Sequence, residues 1–275
     1  MSKSKSIALA TVAVGAIFGF SAASAADMAV KARPLAVDSA YNWNGWYVGA
    51  NAGGAWGNPT GNLNSFSTAP PAIDFTAAVT AGATPRSLGA NHEGYFGGGQ
   101  IGYNWQSRNW VFGIETDIQG ADIGRASSIT FGGGGGIVPS VSTGRDHLDW
   151  FGTLRGRVGL AAQNLLFYGT GGLAYGGVQT SATNIFTPGT SGTFLGSTSG
   201  TQAGWVAGAG IEWGFAPKWT LKGEYLHIDL GSSTVNVLDP VNFPGAFAAY
   251  RFHHELDTLR VGINYRFGGA IPAKY

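Results

Sequence analysis

The sequence predicts an all-β protein, an eight-stranded antiparallel up-and-down transmembrane β-barrel. Three observations support this prediction: the composition, eight segments of alternating hydrophobicity, and the regular order of long and short connections between them. Only 11% of the 275 residues are charged, whereas 46 are glycine and 13% are aromatic. Disordered chains are instead poor in aromatic residues and rich in charged ones. The sequence contains no cysteine, which excludes disulfide scaffolds and thiolate metal sites.

The start of the chain is predicted to be a secretory signal peptide. Lys3 and Lys5 precede an apolar run at 7–20, and Ala25 ends a small-residue cleavage site. The run is too short for a membrane anchor. The expected organisation is a signal peptide at 1–25, a periplasmic N-terminal segment at 26–43, a barrel with four long extracellular loops at 44–267, and a C-terminal tail at 268–275.

Eight segments alternate between apolar and polar or small residues with a period of two, which predicts half-buried strands. The segments are 46–56, 95–105, 110–118, 148–160, 165–175, 205–213, 219–225 and 259–267. In the fourth segment, Leu148, Trp150 and Leu154 are expected on one face and Asp149 on the other.

The connections between these segments alternate in length. Long connections are expected at 57–93, 120–147, 180–201 and 231–252, and tight turns at 107–108, 161–163 and 216–218. Long loops at one end and short turns at the other are typical of outer-membrane barrels.

Eight tryptophans belong to the apolar set of alternate residues and lie near strand ends, as in the aromatic girdles of such barrels. Those next to the tight turns are Trp46, Trp105, Trp110, Trp213 and Trp219, and those at the long-loop ends are Trp56, Trp150 and Trp205. The ten residues from Trp46 to Trp56 span ~33 Å of strand. A tilt of ~40° reduces this to ~25 Å, the height of the apolar band. A soluble lipocalin-like barrel would leave these girdles unexplained.

Three motifs carry a family resemblance: NWNGWYVGANAG at 42–53, LLFYGTGGLAYG at 165–176 and VGINYRF at 261–267. They resemble the outer-membrane immunogenic protein family, small porin-like barrels of alphaproteobacteria with the architecture of OmpA-type barrels. The resemblance implies a cell outer-membrane location, an eight-stranded barrel, loops exposed to antibodies, and a porin label that is often nominal.

The end of the chain departs from the family pattern. Such barrels usually end at the aromatic residue of the last strand, which the barrel assembly machinery reads as a signal. Here Phe267 is followed by eight residues that end at Tyr275. Either aromatic residue is a candidate assembly signal. The expected partners are outer-membrane lipid, the assembly machinery and periplasmic chaperones, with no nucleic acid, since the formal net charge is only +1.

If the apolar set of alternate residues in each segment faces lipid, the other set faces the lumen and carries five acids and five bases. The predicted lumen network is Glu115, Asp117, Asp149, Glu212 and Glu224 with Arg155, Arg157, Lys222, Arg260 and Arg266. An eight-stranded barrel is only wide enough to be filled by side chains. We therefore expect paired charges to plug the lumen, which favours a structural and surface-exposed role, antigenic as the family resemblance implies, over transport. The alternative is a narrow porin for ions or small solutes.

Candidate chemistry is sparse, and the expectation is no enzyme, no cofactor and no metal. His253, His254 and Glu255 are adjacent, but a period of two directs the histidines to opposite faces. Asp146 and His147 resemble part of a Ser/His/Asp site. They make an outer-membrane lipid-modifying enzyme the third and most distant hypothesis.

The long connections contain apolar residues, namely Phe131, Ile137, Val138, Phe186 and Phe194. The favoured interpretation is that they pack on one another and on the barrel rim, because long loops need a core to be ordered. The alternative is that they touch a host or envelope partner.

Overall fold

The computed structural model describes residues 41–57, 60–68, 74–89, 92–187 and 192–267, and the structural statements below concern these residues. The predicted signal peptide, residues 26–40 of the N-terminal segment, and the tail at 268–275 lie outside the described residues. Tyr275 lies outside them as well.

The described chain is almost entirely β-structure. Its elements are β1 (Gly45–Gly57), β2 (Thr60–Phe66), α1 (Thr76–Ala81), β3 (Ser87–Gly89), β4 (His92–Ser107), β5 (Trp110–Phe131), β6 (Ser140–Ala162), β7 (Leu165–Phe186), β8 (Thr193–Ala216), β9 (Trp219–Leu238) and β10 (Phe247–Phe267). None of the described helices has the length and hydropathy that crossing a membrane requires.

Eight of the ten strands form an antiparallel ring in the order β1-β4-β5-β6-β7-β8-β9-β10. The ring is closed by β1 and β10, which pair from Trp46 opposite Phe267 to Trp56 opposite Asp257. The two additional strands, β2 and β3, lie in the first long connection, and β2 pairs with the upper part of β10. The sequence predicts eight strands, and it misses these two because they are short and polar.

Three predicted long loops are largely strand. β5 and β6 extend the ladder to Phe131 opposite Ser140, and β7 and β8 extend it to Ile185 opposite Thr193. Similarly, β9 and β10 pair up to Leu238 opposite Phe247. The extension of β8 is hidden because its run of Ser, Thr and Gly at 196–201 gives no period-two signal, whereas Val235 and Val237 of β9 do alternate and lie in a predicted loop.

Burial alternates along the ring strands as the predicted parity requires. In β1, Trp46 and Val48 are exposed on the outer face, whereas Tyr47 is buried inside. In β10, Leu259 and Val261 are exposed and Arg260 is buried. The ring therefore has an apolar outside and a polar inside at this level, the reverse of a soluble domain.

Leu154 and Ile114 test this assignment of faces, because they are 44% and 46% exposed in the middle of the outer surface. Arginine at either position should impair folding into lipid vesicles, since arginine near the bilayer midplane costs about 2–4 kcal/mol. The measurement is the urea dependence of folding into vesicles. Val241→Arg, 85% exposed in the β9–β10 connection, is the control and should fold like the wild-type chain. Wild-type folding of both test variants would contradict the assignment.

Candidate functional site

The interior of the ring is the candidate site, and at the tight-turn end it is closed by an aromatic plug. Trp43 is fully buried among Val111, Leu166 and Tyr168, with Tyr41 packed against them. The Trp43 main-chain N–H donates to Gln106 Oε1 at 2.7 Å. The last residues of the predicted periplasmic segment therefore lie inside the end of the ring.

Arg266 holds this plug in place. Its guanidinium lies 5.1 Å from the centre of the Tyr41 ring and 5.8 Å from that of Trp43. It also donates to the main-chain oxygen of Asn44 at 2.8 Å and to that of Asn42. Arg266 is thus buried as the sequence predicts, but it binds the plug through main-chain oxygens and aromatic rings.

Glu115 lies at the centre of a charged layer above the plug and is 2% exposed. Its carboxylate accepts hydrogen bonds from Lys222 at 2.9 Å, from the Tyr47 hydroxyl at 2.7 Å and from Arg155. Arg260 lies 3.5 Å away. Several cations therefore share one buried carboxylate.

Arg155 and Arg260 connect Glu115 to two more carboxylates. Arg155 donates to Glu224 at 3.0 Å and to Asp117 at 3.1 Å. Arg260 donates to Glu224 through Nε at 2.6 Å and to Asp117 at 3.1 Å. Because both arginines bind both carboxylates, each carboxylate is bound by two guanidinium groups.

Arg157 completes the layer on its lower side. It donates to Glu212 at 3.0 Å, and its guanidinium lies 4.8 Å from the ring centre of Tyr47 and 5.2 Å from that of Tyr168. The two tyrosines fit because they lie across Gly102 and Gly210, where an added Cβ would come within 2.2 and 2.5 Å of a hydroxyl.

Nine of the ten predicted lumen charges lie inside the ring, and Asp149 does not. The nine are Glu115, Asp117, Arg155, Arg157, Glu212, Lys222, Glu224, Arg260 and Arg266. With Arg266 in the plug, four acids face four bases: Glu115, Asp117, Glu212 and Glu224 against Arg155, Arg157, Lys222 and Arg260. The interior layer is therefore formally neutral.

The inward placement of Asp149 is wrong because a β-bulge interrupts β6. The register of β6 against β7 shifts between Leu148 and Trp150, which reverses the two faces above this point. Leu148, predicted to face outward, is buried inside. Asp149 lies on the outer surface, where its Oδ1 is 3.0 Å from His147 Nε2 and its side chain is 42% exposed.

An apolar layer that the sequence does not predict lies above the charges. The rings of Phe96 and Phe151 meet edge to face with their centres 5.2 Å apart. Ile123, Leu148, Val178, Val206, Leu226, Ile228, Leu230 and Leu256 are buried in the same cluster. The signal that the sequence analysis missed lies toward the long-loop end, where some of the residues that face inward are apolar.

A polar group lies above this apolar layer. His254 Nδ1 is 2.7 Å from Asp146 Oδ2, and His254 Nε2 is 2.9 Å from Ser233 Oγ. Thr180 donates to the other oxygen of Asp146 at 2.8 Å. The sequence suggests that Asp146 and His147 form part of one site. In the structure Asp146 instead pairs with His254, because Asp146 and His147 lie on opposite faces of β6.

The described parts of the first long connection, at 60–68 and 74–89, form a cap over the mouth of the ring. The short helix α1 is capped at its C-terminus by Gly82, which has a positive φ of 88°, and it buries Ala78 and Val79. The Tyr250 hydroxyl donates to the main-chain oxygen of Pro85 at 3.0 Å. At the start of the helix, side-chain and main-chain hydrogen bonds from Thr76 hold the pKa of Asp74 below its usual value.

The apolar residues of the long connections form the core under this cap. Phe186 and Phe194 are buried with Phe75, and Phe131 and Ile137 pack against the cluster. Val138 is 41% exposed. Four of the five residues therefore pack as the favoured interpretation predicts, and Val138 remains on the surface.

The tryptophans predicted for the girdles lie on the outer face. Trp46, Trp56, Trp105, Trp110, Trp205, Trp213 and Trp219 are 41–55% exposed. Trp150 is half-buried against Tyr175, with ring centres 6.1 Å apart. Phe267, at the end of β10, is 52% exposed beside Tyr265.

The histidines at 253 and 254 face opposite sides, as the period of two predicts. His253 lies outside, where Asp229 and Glu255 bring their ligand atoms within 4.8 Å of it and of one another. The sequence does not identify Asp229 as the third member, because it comes from the neighbouring strand β9.

Comparisons with known proteins agree with this architecture. Residues 12–267 match the family described as the outer membrane protein beta-barrel domain. A 31 kDa outer-membrane immunogenic protein of Brucella melitensis biotype 1 is 39% identical over 271 residues, which cover 96% of this chain and 100% of that protein. A 22 kDa outer membrane protein of Rhizobium leguminosarum bv. viciae is 29% identical over 240 residues, with 86% and 83% covered.

Among solved structures, the outer membrane protein OprG of Pseudomonas aeruginosa is similar to this chain at 9% identity and a TM-score of 0.40, with 83% of this chain and 100% of that chain covered.

Removing the central carboxylate should strongly destabilise the fold. Glu115→Gln leaves Lys222, Arg155 and Arg260 with less compensating charge, and breaking a buried pair costs about 3–5 kcal/mol. Glu93→Gln is the matched control, since Glu93 pairs with Arg125 at an exposed site and should lose only about 0–1 kcal/mol. The measurement is the free energy of unfolding in urea. Equal losses in both variants would contradict a central role for Glu115.

Proposed function

The chain belongs to the outer-membrane immunogenic protein family of β-barrels and lies in the cell outer membrane, and from this premise we propose that it is a closed structural and surface-presenting protein. The observation that carries the proposal is the filled interior, in which the plug, the charged layer, the apolar layer and the cap succeed one another along the ring.

The order of these layers argues against a diffusion channel. A water path would have to cross the charged layer around Glu115, where each fixed charge is bound by opposite charges. It would then have to cross the apolar layer of Phe96 and Phe151, which offers water no hydrogen bonds. Either layer alone would block a continuous water path through the ring.

The surface role is supported by the exposed connection between β5 and β6. The connection between β5 and β6 contains the run 132–136, in which four glycines have positive φ and most residues are exposed. An exposed, irregular connection of this kind suits recognition by antibodies or by a host or envelope partner. We expect outer-membrane lipid around the girdles. We also expect the barrel assembly machinery and periplasmic chaperones to act during assembly, with Phe267 or Tyr275 as the signal that the machinery reads.

The refolded chain should insert into a planar bilayer without discrete conductance steps. The physical reason is that the paired charges and the apolar layer leave no continuous water path. A heat-sensitive shift in gel mobility confirms refolding, and a water-filled porin in the same bilayers establishes sensitivity. Salt-dependent steps from the refolded chain would overturn the closed-barrel proposal in favour of a narrow porin.

The topology predicts which connections face the outside of the cell. An epitope inserted between Gly134 and Gly135 should be labelled on intact cells, because an added Cβ at either position meets nothing within 4 Å. The control is the same epitope after Arg108, in the exposed tight turn between β4 and β5, which should be labelled only after lysis. The reverse labelling pattern would contradict the topology.

A further inference from the structure

The hydrogen-bonded ladder of the ring is interrupted between β8 and β9. The two strands pair from Trp205 opposite Asp229 toward the tight turn, and again only at Leu195 opposite Leu238. Among the described ring ladders, this is the longest interruption. Four residues beyond the Trp205–Asp229 pair, the ladder would place Thr201 opposite Ser233. Ser233 therefore lies in the middle of the interruption and is only half-buried.

Ser233 belongs to the polar group formed with His254 and Asp146. Because an ionised carboxylate only accepts hydrogen bonds, the Asp146 contact at 2.7 Å assigns the proton of His254 to Nδ1. Nε2 is then the acceptor, and the Ser233 hydroxyl donates to it at 2.9 Å. His254 and Asp146 are each 2% exposed. These residues come from three different strands, β9, β10 and β6.

This arrangement has the geometry of a serine nucleophile, a general base and a group that orients the base. We propose that Ser233 is an activated nucleophile that hydrolyses carboxylic esters of membrane lipids, which reach it through the interruption between β8 and β9. This is an activity beyond the structural role proposed above.

The position of the interruption identifies the class of substrate. It begins at Trp205, a tryptophan on the outer face at the long-loop end, where the ester bonds of membrane lipids meet water. The cavity at His254 has a volume of only about 10 Å³, and Asp146, His147 and His254 line it together with Leu148, Val178, Leu230 and Leu256. Because this cavity is too small for an acyl chain, the proposed route of the substrate is the interrupted part of the ladder, where the half-buried Ser233 lies.

The reaction is a two-step acyl transfer. Ser233 Oγ attacks the ester carbonyl carbon while His254 Nε2 takes the hydroxyl proton. The carbon–oxygen bond to the alcohol then breaks, and His254 returns the proton to the leaving oxygen. Water, activated by the same nitrogen, releases the carboxylic acid and regenerates Ser233. Since the interrupted ladder frees main-chain N–H groups from strand pairing, they are candidate donors to the oxyanion.

The test uses the full-length protein in purified outer-membrane vesicles and a fluorophosphonate probe, which labels activated serines. The wild-type chain should be labelled, and Ser233→Ala should abolish labelling. Ser232→Ala is the matched control, because Ser232 contacts Arg251 on an exposed part of the chain and should leave labelling unchanged. A heat-sensitive gel shift verifies that each variant is folded. Absent labelling of folded wild-type protein, or unchanged labelling of Ser233→Ala, would overturn the proposal.

Asp146→Asn separates a positioning role from a structural one. With a fluorogenic acyl ester in phospholipid vesicles, kcat should fall by about 10³–10⁴-fold with KM nearly unchanged, because Asn no longer holds His254 in the correct tautomer. An unchanged kcat would contradict the positioning role. Hydrolysis of soluble p-nitrophenyl butyrate without hydrolysis of the vesicle ester would overturn access from the lipid side.

Discussion

The constraint on which the whole structure depends is that a strand in lipid must pair its main-chain groups with other strands on both sides. The pairing of β1 with β10 satisfies this constraint by removing the edges of the sheet. Once the ring is closed, alternate residues of each strand must face lipid or the interior. The small circumference of eight strands then leaves an interior that side chains fill.

The charges inside this ring are stable only as a set. A single buried ion would be costly, and pairing offsets this cost only when the geometry is good and the remaining hydrogen bonds are made. Glu115 and Glu224 meet this requirement by sharing Arg155 and Arg260, which also bind Oδ2 of Asp117. Tyr47 and Tyr168 add hydroxyl donors to Glu115 and Glu224 at 2.7 and 2.9 Å. The result is a neutral layer in which each buried charge depends on its neighbours for its stability.

The interruption between β8 and β9 is the exception to the closed ladder, and it lies beyond the outer-face tryptophan of β8, Trp205. At that height unpaired main-chain groups can be hydrated, so the constraint imposed by lipid no longer applies. The polar group of Ser233, His254 and Asp146 occupies the same height. Continuous pairing of all the ring strands within the membrane and the interrupted pairing of β8 with β9 above Trp205 both agree with a boundary between lipid and water at this height.

The sequence by itself determined the all-β class, the eight ring strands, the face of nearly every strand and nine of the ten interior charges, because a period of two is local information. It did not determine Asp149, whose direction depends on a bulge between Leu148 and Trp150. It also missed the strands β2 and β3 and the helix α1 of the cap, the Trp43 plug and the pairing of Asp146 with His254. Only the tertiary structure decided these features, since each requires residues distant in sequence to meet across the ring.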